Sequence, residues 1–76
     1  MLTGKRFRLD RATLGIGHID GKRRTVTIPV GAILKVVSES NQDGMLSVNW
    51  DSQILDMFEI DVDVRGTEIR EGSSKT

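Results

Sequence analysis

Residues 43–58 read DGMLSVNWDSQILDMF, and this stretch decides the fold. If residues 51–52 form a two-residue loop, Val48 lies opposite Leu55 on the neighbouring strand. Four apolar side chains then share one face: Leu46, Val48, Leu55 and Met57. A shared apolar face is what a hairpin needs in order to pack on a core. The stretch therefore predicts a β-hairpin at the centre of a small β protein.

The only tryptophan of the chain, Trp50, belongs to the same hairpin. It pairs with Gln53 at the end of the predicted strands, where a large ring can close the core and keep one edge in water. A half-buried lid on the core is the favoured interpretation. The alternative is an aromatic platform for a ligand, so Trp50 is also a candidate partner-binding residue.

Alternation of apolar and polar residues continues outside this hairpin. It occurs at residues 6–9, 14–16, 25–28, 46–51 and 60–64. Turn residues separate these segments at the spacing of short, sequential strands, and no segment keeps a helical period. The pattern predicts an all-β fold, either a small barrel or a sandwich.

The first hairpin needs a different loop from the second. A two-residue loop at residues 20–21 would place Leu14 opposite Thr27 and mix the apolar and polar faces. A three-residue loop at residues 19–21 instead places Leu14 opposite Val26, with a glycine at the left-handed position that such loops require. We therefore predict the three-residue loop. Two glycines offer a bulge as an alternative way to restore the register: Gly15 and Gly17.

Residues 28–69 contain an ordered set of turns and core strands. These are Ile28-Pro29-Val30-Gly31, the apolar strand 33–37, Asp43-Gly44, the strand 48–50 that ends in Trp, and Met57-Phe58. The order resembles that of a loose group of short bacterial proteins without an assigned function, and their pattern resembles an SH3-like barrel. The resemblance implies a barrel of five or six antiparallel strands. It also implies a short helical turn at residues 59–63 and a closing strand at 64–69.

These signals define one domain over residues 1–70. Residues 71–76 are polar and are expected to form a flexible tail. The chain has no cysteine and no apolar run of membrane-spanning length, and its N-terminus lacks the apolar stretch of a signal peptide, so a cytoplasmic location is expected.

Few residues are suited to catalysis or metal binding. His18 is the only histidine, so any Ser-His-Asp arrangement would have to use it, and a zinc site has too few ligands. One series of carboxylates lacks the glycine and terminal Glu of an EF-hand loop and is interpreted as a solvated rim, with a weak divalent-ion site as the alternative: Asp56, Glu59, Asp61 and Asp63. We expect no catalytic residue, no metal and no cofactor.

Charge is divided unequally along a chain whose net charge is zero. Residues 1–38 carry eight Lys/Arg and two Asp/Glu, whereas residues 39–76 carry three Lys/Arg and nine Asp/Glu, which gives +6 and −6. The split is compatible with strands that pair by charge, with a partner surface or with contact between copies. A small core also favours self-association, so a homodimer is expected, through complementary charge or through open strand edges near residues 6–9 and 64–69.

The sequence favours a non-enzymatic binding or assembly module, with an unknown protein or a second copy as partner. The alternative is a nucleic-acid-binding barrel that uses basic residues of the first strand and the first hairpin: Arg6, Arg8, Lys22, Arg23 and Arg24. A remote alternative is an oligomeric enzyme with a site shared between subunits. The chain is similar to the plasmid-borne type II dihydrofolate reductases, which have such a site, in size and likely fold only, because their Val-Gln-Ile-Tyr signature is missing.

Overall fold

The computed structural model describes residues 2–39 and 43–70. These residues form seven strands and one helix: β1 (Arg6–Leu9), β2 (Thr13–Ile19), β3 (Lys22–Ile28), β4 (Ile33–Glu39), β5 (Met45–Trp50), β6 (Gln53–Phe58), α1 (Glu59–Arg65) and β7 (Gly66–Ile69). The strands form one antiparallel sheet in the order β3-β2-β6-β5-β4-β1-β7. The all-β class is confirmed, with seven strands where five or six were expected. The predicted tail at 71–76 lies outside the described residues.

The β5–β6 hairpin has the predicted register. Val48 lies opposite Leu55, and Trp50 lies opposite Gln53 at the loop end. The two loop residues, Asp51 and Ser52, have φ angles of 54° and 63°. Positive φ at both positions is the geometry of a type I′ turn, whose twist matches that of the flanking strands.

The β2–β3 hairpin differs from the prediction. Leu14 lies opposite Thr27, and the loop contains only Asp20 and Gly21, whose φ angles are 53° and 76°. The predicted three-residue loop is therefore wrong. Leu14 points to the outer face of the sheet and is 59% exposed.

Two glycines explain the register of this hairpin. Gly15 and Gly17 occupy the inner face of β2, where β2 passes close to Leu55. A Cβ atom at Gly17 would lie 3.1 Å from Leu55 Cδ2, and one at Gly15 would lie 3.1 Å from Ile28 Cδ1. Because neighbouring side chains already fill the inner face here, β2 can present glycines to the core and leucine to solvent.

The core lies between the inner face of the sheet and α1. Its buried side chains are Phe7, Leu9, Ile28, Ala32, Leu34, Val36, Leu46, Val48, Leu55, Met57 and Val62. Trp50 packs against one end of this cluster and stays partly exposed, as the lid interpretation predicts. Phe7 is buried, whereas half of the surface of Phe58 is exposed. Phe58 points outward because the alternation that buries Met57 turns the next side chain to the opposite face.

The helical turn predicted at residues 59–63 is present and continues to Arg65. The helix buries Val62 alone, and the closing strand begins at Gly66 rather than at Val64. Of the two open edges expected, the one at β1 is wrong, since β1 pairs with both β4 and β7. The sheet order leaves β7 and β3 as its outermost strands.

Candidate binding surfaces

The five basic residues predicted as one nucleic-acid surface lie in two separate groups. Arg6 and Arg8 share the outer face of β1, as alternation predicts, and Arg6 lies opposite Lys35 of β4. The other three lie at the loop end of β3, and four strands separate β1 from β3 in the sheet. Ile28, the buried residue at the other end of β3, lies six positions from Lys22, which is roughly 20 Å along an extended strand.

We call Lys22, Arg23 and Arg24 the basic tip. Every residue from 18 to 25 is exposed, and β2 pairs with β6 at a single position, Ile16 opposite Asp56. The hairpin therefore extends beyond the core as a two-stranded ribbon. Arg23 lies opposite His18 on the outer face of the ribbon, which is the face that carries Leu14 and Ile16.

A shallow groove runs along the outer face where β2 meets β6. Its volume is about 270 Å³. The residues that define it, which we call the Phe58 groove, are Leu14, Ile16, Met45, Phe58, Asp56 and Asp61. Gly15, Thr25 and Met57 also line it. The single pairing between β2 and β6 explains the groove, because the two strands do not continue as a ladder toward Leu14 and Phe58.

Carboxylates surround Phe58. Asp56 and Asp61 line the groove itself. Phe58 also lines a second hollow, together with Asp43, Gly44, Glu59, Ile60 and Asp63. Arg65 lies 3.9 Å from Asp61, one helical turn away. An apolar surface with this surrounding charge is suited to a partner segment that carries both apolar and basic side chains.

A serine, an aspartate and the only histidine meet on the outer face beside the groove. Ser47 Oγ donates a hydrogen bond to Asp56 Oδ1 at 3.1 Å, and His18 Nε2 lies 3.4 Å from Asp56 Oδ2. The carboxylate thus lies between the serine and the imidazole. In a catalytic triad the imidazole lies between the other two and takes the proton of the hydroxyl. This arrangement orients side chains across β5, β6 and β2 but does not activate Ser47.

Within residues 2–39 and 43–70, no group of three or more His, Asp or Glu side chains is arranged to hold a metal ion. The same residues include no helix long and apolar enough to cross a bilayer. Trp50 lies at the opposite end of the β5–β6 hairpin from Phe58 and on the inner face, so it does not contribute to the Phe58 groove.

The Phe58 groove was not predicted, although two signals in the sequence point to it. Alternation places Phe58 on the face opposite Leu55 and Met57, which were correctly predicted to lie in the core. Asp20-Gly21 is a strong signal for a two-residue turn. A two-residue turn at this position places Leu14 on the outer face of the sheet. The mixed face, which the predicted three-residue loop avoids, is the face that carries the groove.

Comparison with protein-family models, with curated proteins and with solved structures finds no match for the chain.

Proposed function

We propose that this protein is a non-enzymatic binding module that docks a protein segment on the Phe58 groove. The observation that carries the proposal is the exposure of Leu14 and Phe58, 59% and 50%, along a single groove. Scattered apolar residues are common on protein surfaces, but grouped ones that line a concavity mark interaction sites.

The carboxylates around the ring support a specific partner chemistry. Asp56 and Asp61 line the groove, and Glu59 and Asp63 line the adjoining hollow. A basic side chain of a bound segment would gain from these charges, and an Arg or Lys placed over the exposed ring of Phe58 would add a cation–π contact. The preferred ligand is therefore a segment with alternating or neighbouring apolar and basic residues.

Selection from a display library of short random peptides tests this function. The wild-type protein is expected to enrich peptides that combine apolar and basic residues, and the double variant Leu14→Ser/Phe58→Ser is expected to lose them. The control, Val30→Ser/Ile33→Ser, removes two apolar side chains that are also exposed but lie outside the groove. The proposal fails if nothing is enriched, or if the selected peptides bind the groove variant as well as the control.

A second candidate function, nucleic-acid binding, is favoured by the basic tip alone. Three consecutive cations at the exposed loop end of β3 suit phosphate contacts, which do not depend on base sequence. Lys22→Glu/Arg23→Glu should then weaken binding to single-stranded DNA at low salt for every base sequence, and Arg8→Glu/Lys35→Glu is the control with equal charge change. Affinity should also fall steeply as salt rises. If both variants weaken DNA binding equally, the basic tip is not the nucleic-acid-binding site.

A further inference from the structure

The outer face of the β2–β3 hairpin is complementary to itself in charge. Arg23 and His18 lie across from each other near the loop, and Leu14 lies across from Thr27 at the other end. Asp61 of α1 lies near Leu14, because both residues line the Phe58 groove and a neighbouring hollow. Of the basic tip, Arg23 lies on this face, whereas the register places Lys22 and Arg24 on the other face of the ribbon. At the other end, Arg65 pairs with Asp61 and lines the same hollow as Leu14, but α1 is acidic because it carries three carboxylates and one guanidinium. The face therefore runs from Arg23 at the loop, through Ile16 in the middle, to acidic at α1.

Such a face matches a second copy of itself when the two hairpins run in opposite directions. His18 lies four positions after Leu14, roughly 14 Å along the strand. A two-fold axis near Ile16 would thus place Arg23 of each copy over Leu14 and Asp61 of the other. One rotation makes both contacts, so the assembly closes as a dimer instead of extending into a filament.

From this symmetry we infer that the protein forms a two-fold dimer through the outer faces of its β2–β3 hairpins, with Arg23 in the basic tip of each copy docked at the Phe58 groove of the other. The inference rests on the proposed function and names the partner as a second copy of the chain. Burial of Leu14, Ile16 and Phe58 supplies most of the affinity, since exposed ion pairs contribute little. The charges set the direction in which the two hairpins pack.

Reversal of charge on each side gives a direct test by sedimentation equilibrium. Variant A is Arg23→Glu, and variant B is Asp61→Lys/Asp63→Lys. Each variant alone brings like charges together and is expected to raise the dimer dissociation constant at least about tenfold. An equimolar mixture of A and B restores both complementary contacts in each mixed dimer and is expected to form mixed dimers more tightly than either variant forms its own.

Two controls separate this inference from the proposed function. Arg8→Glu changes the net charge as much as variant A does, and it should leave dimerisation unchanged. A wild-type protein that is monomeric at high concentration overturns the dimer; peptide binding that depends on Leu14 and Phe58 would then show that the proposed function stands. A dimer that variants A and B do not weaken, or that their mixture does not restore, also overturns the inference.

Discussion

Glu39, at the end of β4, attaches the segment that precedes β1. Its carboxylate accepts hydrogen bonds from the backbone N–H groups of Leu2 and Thr3. The hydrogen bond from the Leu2 N–H is the main cause of the lowered pKa of Glu39, because it favours the ionised carboxylate. The charge of one side chain thus helps to hold a segment 36 or 37 residues away in sequence.

This interaction predicts a pH dependence of stability. A lowered pKa in the folded state means that ionised Glu39 stabilises the fold above the pKa of the unfolded chain. The contribution is lost as the pH falls through the folded-state pKa. Wild-type protein should therefore exceed Glu39→Gln in urea-unfolding free energy at neutral pH, and the difference should vanish in acid. A difference that is constant or grows on acidification contradicts the assignment.

The side chains of the two hairpins explain why the sequence predicts the register of the β5–β6 hairpin correctly and that of the β2–β3 hairpin wrongly. Leu46 and Val48 on one strand, and Leu55 and Met57 on the next, agree with the turn at residues 51–52, so pattern and turn chemistry favour one register. In the first hairpin the two signals conflict. The conflict is resolved by Leu55, which fills the space beside Gly17 and leaves no room for a large inner side chain on β2. That contact joins residues 38 positions apart, and no local pattern encodes it.

At the scale of elements, the junction between α1 and β7 is tightly packed. Gly66 ends the helix and at once pairs with Leu9 of β1. A Cβ atom at this position would lie 2.7 Å from the carbonyl oxygen of Val62 and 3.4 Å from that of Arg8. Both obstacles are backbone atoms, so relief requires the helix or the strand to move.

Substitution at this junction should therefore be costly. Gly66→Ala is expected to lower the free energy of unfolding by about 1–3 kcal/mol, the range for overpacking a well-packed site. Gly17→Ala is the matched control, because its nearest obstacle is a methyl group of Leu55, which can rotate away. Urea unfolding of both variants measures the costs. A smaller loss at Gly66 than at Gly17 would contradict the packing account of the junction.

The helix itself shows the limit of pattern analysis for short elements. Ile60, Val62 and Val64 alternate with aspartates, which is also the pattern of a half-buried strand. The resemblance to short bacterial barrels gave the helical turn correctly but began the last strand two residues early, at Val64. Only Val62 reaches the core from α1, so the apolar pattern carries too little information to place the boundary.

At the scale of the whole molecule, strands from the two halves of the chain alternate in the sheet. β5 and β6 lie between β2 and β4, and β7 lies beyond β1. Lys5 of the basic half pairs with Glu68 of the acidic half at 3.7 Å. This pairing accounts for part of the charge split, while Arg23 of the basic tip and the carboxylates around Phe58 remain at opposite ends of one face.

The central claim is that this face is a docking surface, and amide NMR spectra of the wild-type protein over a dilution series test it most directly. On dilution, the amide signals of residues 14–23 and 58–63 are expected to shift together, as the dimer dissociates and the Phe58 groove is uncovered. Signals of β7 and of the β5–β6 loop should stay in place. Shifts confined to β7 would locate self-association at the open strand edge instead. Spectra that do not change with concentration, from a protein of single-chain mass, would contradict docking between copies on this face.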